Sequence, residues 1–320
     1  MKDFILDFEK PIRDIELKIA ELEAVPLYGK VSLNKELERL RKKADKVRES
    51  IYSDLSGWQH VQLARHPNRL YTLDYLELIA PDFLELHGDR NFRDDEAIVS
   101  GLAHIDERRV AIIGHQKGRG TKDNLKRNFG MPNPEGYRKA LRIMSLAEKF
   151  NLPVITFIDT PGAYPGLGAE ERGQAAAIAD NLVRMSNLKV PIITIIIGEG
   201  GSGGALALAV ADKVFMLKYA VYSVITAEGC ASILYRDATK ASSAANSLKL
   251  TATDLMELTV IDDIIPEPMG GCHKDPESVA SAIRERIFDE LSKLEKMTPA
   301  DRIDARILKY SKMGRWLEKG

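Results

Sequence analysis

The stretch from Val190 to Val210, VPIITIIIGEGGSGGALALAV, constrains the fold of this chain more than any other. Ile192 to Ile197 is a near-continuous β-branched run, which suits a strand buried on both faces. Gly198, Glu199, Gly200, Gly201, Ser202, Gly203 and Gly204 follow, and then an Ala- and Leu-rich run from Ala205 to Val210 that reads as a buried helix. The first N–H groups of a helix have no partner inside it, and glycines let a ligand approach them closely. A loop built this way holds negative charge.

The same device occurs earlier. Leu152 to Ile158 (LPVITFI) resembles Val190 to Ile196 (VPIITII), with Pro153 and Pro191 in matching places. The first copy runs into a second glycine loop, Asp159 to Gly168 (DTPGAYPGLG). Glu170 and Glu171 then sit near a helix start, where they complement its dipole. The tandem units predict that both loops line one pocket.

At 320 residues the chain can bury a full core, and at 44% hydrophobic and 29% charged it has the composition of a globular protein. A net charge of −1 points to neither nucleic acid nor a membrane surface. The start, MKDFILDFEKPIRDIELK, mixes both charge signs and lacks a signal-peptide core, so a cytoplasmic location is expected. Cys230 and Cys272 are the only cysteines, too few for a structural zinc site on their own.

Apolar residues at Phe8, Ile12, Ile15, Ile19 and Leu22, and again at Leu33, Leu37, Leu40, Ala44, Val47 and Ile51, predict a helical hairpin broken near Pro26 and Gly29. It reads as an arm docked on something larger. Residues 56 to 95 read as irregular, and His60, His66 and His87 match no ligand spacing, so capping, turn or surface roles are expected. Ala97 to Asp106 and Arg109 to Gln116 read as paired strands. Lys117 to Asn133, with Lys117, Arg119, Lys122, Lys126 and Arg127, reads as a long basic loop, either a phosphate binder or a solvated surface. Glu135 to Phe150 is a helix. Lys213 to Leu217, Ala220 to Ile225 and Ile261 to Ile265 read as strands, and Thr226 to Tyr235 as a helix capped by Thr226. A helix from Asp275-Pro276 to about Met297 precedes a charged tail that suits a partner surface.

Three patterns meet in the central loop. Gly198-x-Gly200-x-x-Gly203 fits a dinucleotide fingerprint, but no acidic residue ends the next strand. Gly200-x-Ser202-x-Gly204 fits a nucleophile elbow, for which only His273 or His115 offers a base. The third reading needs no side chain: the Gly203 and Gly204 N–H groups form an oxyanion hole, and Gly162 and Ala163 a second. The supply of glycine and the lack of an evident base favour the third.

Ile158 to Gln174 (IDTPGAYPGLGAEERGQ), Ile197 to Ala207 (IGEGGSGGALA), IIGHQKGR, KRNFGMP, PEGYRKALR and YSVITAEGCASILY resemble the α subunits of the carboxyltransferase component of bacterial acetyl-CoA carboxylases. The likeness runs from LDFEKPI to IIPEPMGG, almost the whole chain. Thr226-Ala227 departs from it, since family members often carry a proline before Glu228. The resemblance implies an α/β, crotonase-like superhelix of ββα units with an N-terminal helical hairpin. The expected division is 1–55 for the hairpin arm, 56–296 for the carboxyltransferase domain and 297–320 for the tail. It further implies an α₂β₂ assembly with a β subunit that carries the zinc, so that no metal and no covalent cofactor belong to this chain. Carboxybiotin, on a biotin carboxyl carrier protein charged by a biotin carboxylase, and acetyl-CoA are the implied substrates, and malonyl-CoA the product. Gly203 and Gly204 match the pair that stabilises the biotin ureido oxygen. Gly162, Ala163, Gly200 and Gly201 would line the substrate pocket, and Lys117 and Arg119 would meet CoA phosphates. The alternative is a crotonase-like acyl-CoA hydratase or hydrolase.

Overall fold

The computed structural model describes residues 4–24 and 30–314. Its centre is one mixed sheet of eight strands: β1 (Leu84–Glu85), β2 (Ile98–Ile105), β3 (Arg108–His115), β4 (Val154–Thr160), β5 (Ile192–Gly201), β6 (Lys213–Leu217), β7 (Val221–Ser223) and β8 (Asp263–Ile265). The order is β1-β2-β3-β4-β5-β6-β8, with β7 paired to β5 off this path. The β1/β2 and β2/β3 pairs are antiparallel and the remaining strand pairs parallel.

The sequence repeat is visible as strand register. β4 and β5 lie side by side, with Val154 opposite Ile192 and Ile158 opposite Ile196, the residues the repeat aligns. Both strands are buried throughout, as their unbroken apolar runs require. Each buried isoleucine there contributes about 1.5–3 kcal/mol over an exposed one. The repeat-equivalent Thr156 and Thr194 place hydroxyls in this core. They bond each other at 2.7 Å, and Thr156 also donates to the Leu208 carbonyl at 2.8 Å. After Ile158 the register shifts, so that Thr160 faces Gly200. The irregularity falls at Asp159, where the first glycine loop begins.

Several expectations need correcting. The helix expected over Ala205–Val210 is instead Ser202–Leu206. Beyond it the chain tightens, with Leu208 N and Ala209 N donating to the carbonyls of Ala205 and Leu206, and the next polar groups bond elsewhere: Leu208 O accepts from Thr156, while Tyr310 Oη donates to Ala209 O and accepts from Ala211 N, both at 2.9 Å. Residues 56 to 95 are not irregular but hold helices Gly57–Ala64 and Thr72–Ile79. The first opens on a capping box, Ser56 with Gln59, a signal present in the sequence. The basic stretch after Lys117 contains helix Gly120–Lys126 rather than a continuous loop.

The N-terminal hairpin forms from helices Lys10–Glu23 and Lys30–Tyr52, joined by Arg48–Glu16 at 2.9 Å and Arg41–Glu23 at 2.7 Å. The break expected at Pro26 and Gly29 lies outside the described residues. The hairpin rests on its own chain, where Leu6, Ile12 and Tyr52 cluster with Leu63 and Tyr219. The charged tail likewise forms helix Pro299–Ser311, with Arg302 and Arg306 buried against the body. Among the described residues no helix is long and apolar enough to cross a membrane.

Candidate active site

The central glycines divide into two groups. Gly198 to Gly201 are not loop but the end of β5, where Glu199, Gly200 and Gly201 pair with Val221, Tyr222 and Ser223 of β7. Their lack of a side chain is a packing requirement. A Cβ at Gly200 would lie 2.6 Å from the Tyr222 ring, and one at Gly201 would lie 2.1 Å from the Pro161 carbonyl oxygen. Gly200 and Gly201 are therefore buried ladder residues, whose open side faces a small cleft shared with Arg65 and Pro161.

Ser202, Gly203 and Gly204 form the first turn of the next helix, so their N–H groups have no acceptor within it. Gly203 is half-exposed and lines a cavity of about 450 Å³ together with Ser202, Leu206, Tyr222, Val224 and Lys249. Gly204 is buried and packs on the first glycine loop. A Cβ there would sit 2.4 Å from Ala163 N and 2.6 Å from Gly162 C. The two loops thus meet backbone to backbone, as the repeat predicted. Ala163 lies at that contact, half-buried. The Gly162 N–H, expected as a second anion donor, instead donates to Thr160 Oγ1 at 3.1 Å, while the same hydroxyl donates to Gly162 O at 2.8 Å. It is occupied in holding the loop's shape.

Behind this contact lies an ion cluster built on the ends of three neighbouring strands. Lys117, just beyond β3, reaches Asp159 Oδ1 of β4 at 2.7 Å and Glu199 Oε2 of β5 at 2.8 Å. The Glu199 N–H donates to Asp159 Oδ1 at 2.9 Å. Arg65 adds Glu199 at 2.6 Å and Glu228 at 2.5 Å. Burial pushes Glu199 up, but the charges of Lys117 and Arg65 override it and hold its carboxyl at about 2. Burial dominates at Asp159 and raises its pKa, although Lys117 works the other way. For Lys117 burial works to lower the pKa, yet the two carboxylates win and keep it raised. The stabilisation from Glu199 is therefore complete above the ordinary carboxylate range and is lost as pH falls toward 2.

This corrects the expectation for both basic residues. The Lys117 ammonium is committed to two carboxylates, with 13% of its side chain exposed. Arg119 pairs with Asp74, donates to the Pro67 and Arg69 carbonyls, and stacks on Tyr71 at 4.4 Å. Neither is presented as a free phosphate binder. The residues overlooked are Asp159, Glu199 and Arg65. The available signal was a carboxylate interrupting each apolar strand, in IDT and in IGEG.

Ser202 adopts φ 55°, the left-handed geometry of a strand–nucleophile–helix elbow. What it lacks is a base. His115 is fully buried near the Gly204 backbone, and burial lowers its pKa to about 3. His273 is also lowered to about 3, by burial and then by His66, on which it stacks at 4.2 Å. A base with so low a pKa takes almost no proton at neutral pH. A fluorophosphonate probe is accordingly expected to leave Ser202 unlabelled; stoichiometric labelling would restore the hydrolase reading. The other histidines serve local structure: His60 bonds Ser56 O, and His87 bonds Asp94.

A family model described as acetyl co-enzyme A carboxylase carboxyltransferase-like matches residues 5–314. The acetyl-coenzyme A carboxylase carboxyl transferase subunit alpha of Geobacter metallireducens is 56% identical over 98% of each chain. That of Dichelobacter nodosus is also 56% identical, again over 98% of each. Among solved structures, the transcarboxylase 12S hexamer with methylmalonyl-coenzyme A bound aligns at TM-score 0.55 and 20% identity, over 78% of this chain and 44% of the other. A Pseudomonas malonate decarboxylase hetero-dimer aligns at TM-score 0.58 and 13% identity, over 75% and 98%. These distant structures show the shared fold, the crotonase-like architecture the sequence led us to expect.

Proposed function

The chain belongs to the acetyl-CoA carboxylase carboxyltransferase family, and on that premise we propose how its geometry serves the transfer. It is the α subunit of a carboxyltransferase that moves a carboxyl group from N-carboxybiotin to acetyl-CoA and forms malonyl-CoA. The observation that carries the mechanism is the Gly203–Gly204 turn, in which Gly204 is packed against the Gly162–Ala163 loop and Gly203 opens on a cavity. The first-turn amide at Gly203, held in place by the packed Gly204, would offer a donor to the oxygen that gains charge when carboxybiotin loses CO₂. Fixed donors of this kind need no reorganisation as the charge appears. The biotin enolate left behind takes the methyl proton of acetyl-CoA, and the acetyl enolate attacks CO₂. The substrate supplies the base, which fits a cavity whose lining includes no carboxylate and no histidine. That lining also disfavours a hydratase, which needs acid–base side chains on the substrate.

The partner set completes the proposal. A β subunit would bring the second oxyanion hole and the zinc, in a cytoplasmic α₂β₂ assembly fed by a biotin carboxyl carrier protein and a biotin carboxylase. The purified chain is expected to make no malonyl-CoA from carboxybiotin and acetyl-CoA, and to do so once the β subunit is added. Full turnover by the isolated chain would overturn this division of labour.

A further inference from the structure

We propose that Lys117 is a positioning residue for carboxyl transfer: its ammonium, inserted between Asp159 and Glu199, pins the two glycine loops in register. The inference rests on the carboxyltransferase reading above and adds to it a side chain that never touches substrate.

The geometry is specific. Lys117, Asp159 and Glu199 stand at the same end of three adjacent strands, β3, β4 and β5. Asp159 sits at the register shift where the first loop departs, and Glu199 lies just before the ladder end that feeds Gly203 and Gly204. The lysine stem is covered by Gly130, whose φ of 76° and lack of a Cβ let it lie where a methyl would be 2.6 Å from Lys117 Cγ. Asp159 Oδ2 is buried without a hydrogen-bond partner, so Lys117 is the cation that Asp159 relies on. Glu199 has a second cation, Arg65.

There is no slack to absorb a loss. The Asp159 carboxylate fills the space a Gly198 side chain would need, at 2.3 Å, and Gly201 lies against the Pro161 carbonyl. A shift of Asp159 therefore moves Pro161 to Ala163, and with them the wall behind Gly204. Without Lys117, an ionised Asp159 faces Glu199 at close range, and two carboxylates in one site favour protonation of one of them. The other charged or titratable groups around the cluster are Arg65 and Glu228 beyond Glu199, Arg119 and Asp74 flanking Tyr71, and the neutral His115.

The test uses Lys117→Met in the reconstituted α–β complex. The kcat is expected to fall about 10²-fold while KM for acetyl-CoA stays within about threefold, as for a loss felt in the transition state. The variant's rate relative to wild type should climb about tenfold as the pH is lowered, because protonating Asp159 removes the repulsion that the lysine had cancelled. Lys117→Met/Asp159→Asn should recover at least about tenfold over the single variant, and its rate relative to wild type should no longer depend on pH. In the isolated chain, amide hydrogen exchange across 160–164 and 199–204 should quicken in Lys117→Met and slow again in the double variant. Parallel pH profiles, no recovery by Asp159→Asn, or a double variant that fails to fold would each overturn the pin. An inactive wild-type complex with the exchange pattern intact would instead strike at the carboxyltransferase reading and leave the pin standing.

Discussion

Gly204→Ala is expected to slow carboxyl transfer by about 10²–10³-fold, the loss typical of one oxyanion donor moved out of place. The cause is steric and local. The added methyl would arrive 2.4 Å from Ala163 N and 2.6 Å from Gly162 C, both backbone atoms. The Thr160 hydroxyl holds the Gly162 turn from both sides, so that loop cannot yield without losing two hydrogen bonds. The Gly203–Gly204 turn must move instead. Overpacking of this kind also costs about 1–3 kcal/mol of stability. Gly203→Ala is the built-in control, because its Cβ would meet only Ile178, at 3.9 Å. It should melt like wild type and lose far less rate in the assembled complex. Equal rates for Gly204→Ala and wild type, with equal melting, would remove the glycine turn from the mechanism.

Arg306→Met is expected to destabilise the chain by about 3–5 kcal/mol, the effect of breaking a buried ion pair from one side. Arg306 and Asp212 expose 0% and 4% of their side chains. The guanidinium meets Asp212 twice, at 2.9 Å each, and also donates to the carbonyls of Met185 at 2.5 Å and Leu188 at 3.0 Å. Asp212 in turn accepts from the Ile192 N–H at 2.7 Å, the first residue of β5. Methionine fills the space but leaves a carboxylate and those carbonyls without their donor. Asp212→Asn in the Arg306→Met chain should return part of the loss, because the orphaned charge is then gone. Urea titration of the single and double variants measures both, and a loss under about 1 kcal/mol for Arg306→Met would mean that water replaces the arginine there.

The framework was readable where one local signal decided the outcome. The apolar runs of β4 and β5 could only be buried strands, and the repeat between them became their register. Thr226 caps its helix as expected, accepting from Gly229 N. The site was readable in part. Gly203 stands at a helix start beside a cavity with Gly204 packed behind it, but Gly200 and Gly201 are glycine because neighbouring groups crowd them. Sequence alone cannot separate a glycine that admits a ligand from one that admits a tyrosine ring. Lys117 and Arg119 failed for a related reason: a basic residue in a basic stretch says nothing of the carboxylates that reach it from elsewhere. Asp159 and Glu199 come from strands that follow in the chain, and Asp74 from an earlier helix that the irregular 56–95 reading missed. The tail was misjudged because charge suggests solvent, whereas Arg306 is among the most buried side chains in the molecule.

The clasp formed by helix Pro299–Ser311 also sets an order of events in folding. The longest strand of the sheet begins at Ile192, yet the group that neutralises its anchor, Asp212, belongs to Arg306, and Lys309 pairs with Asp262 just before β8. The entry to β5 therefore stays unlocked until Arg306, 94 residues after Asp212, has packed against it.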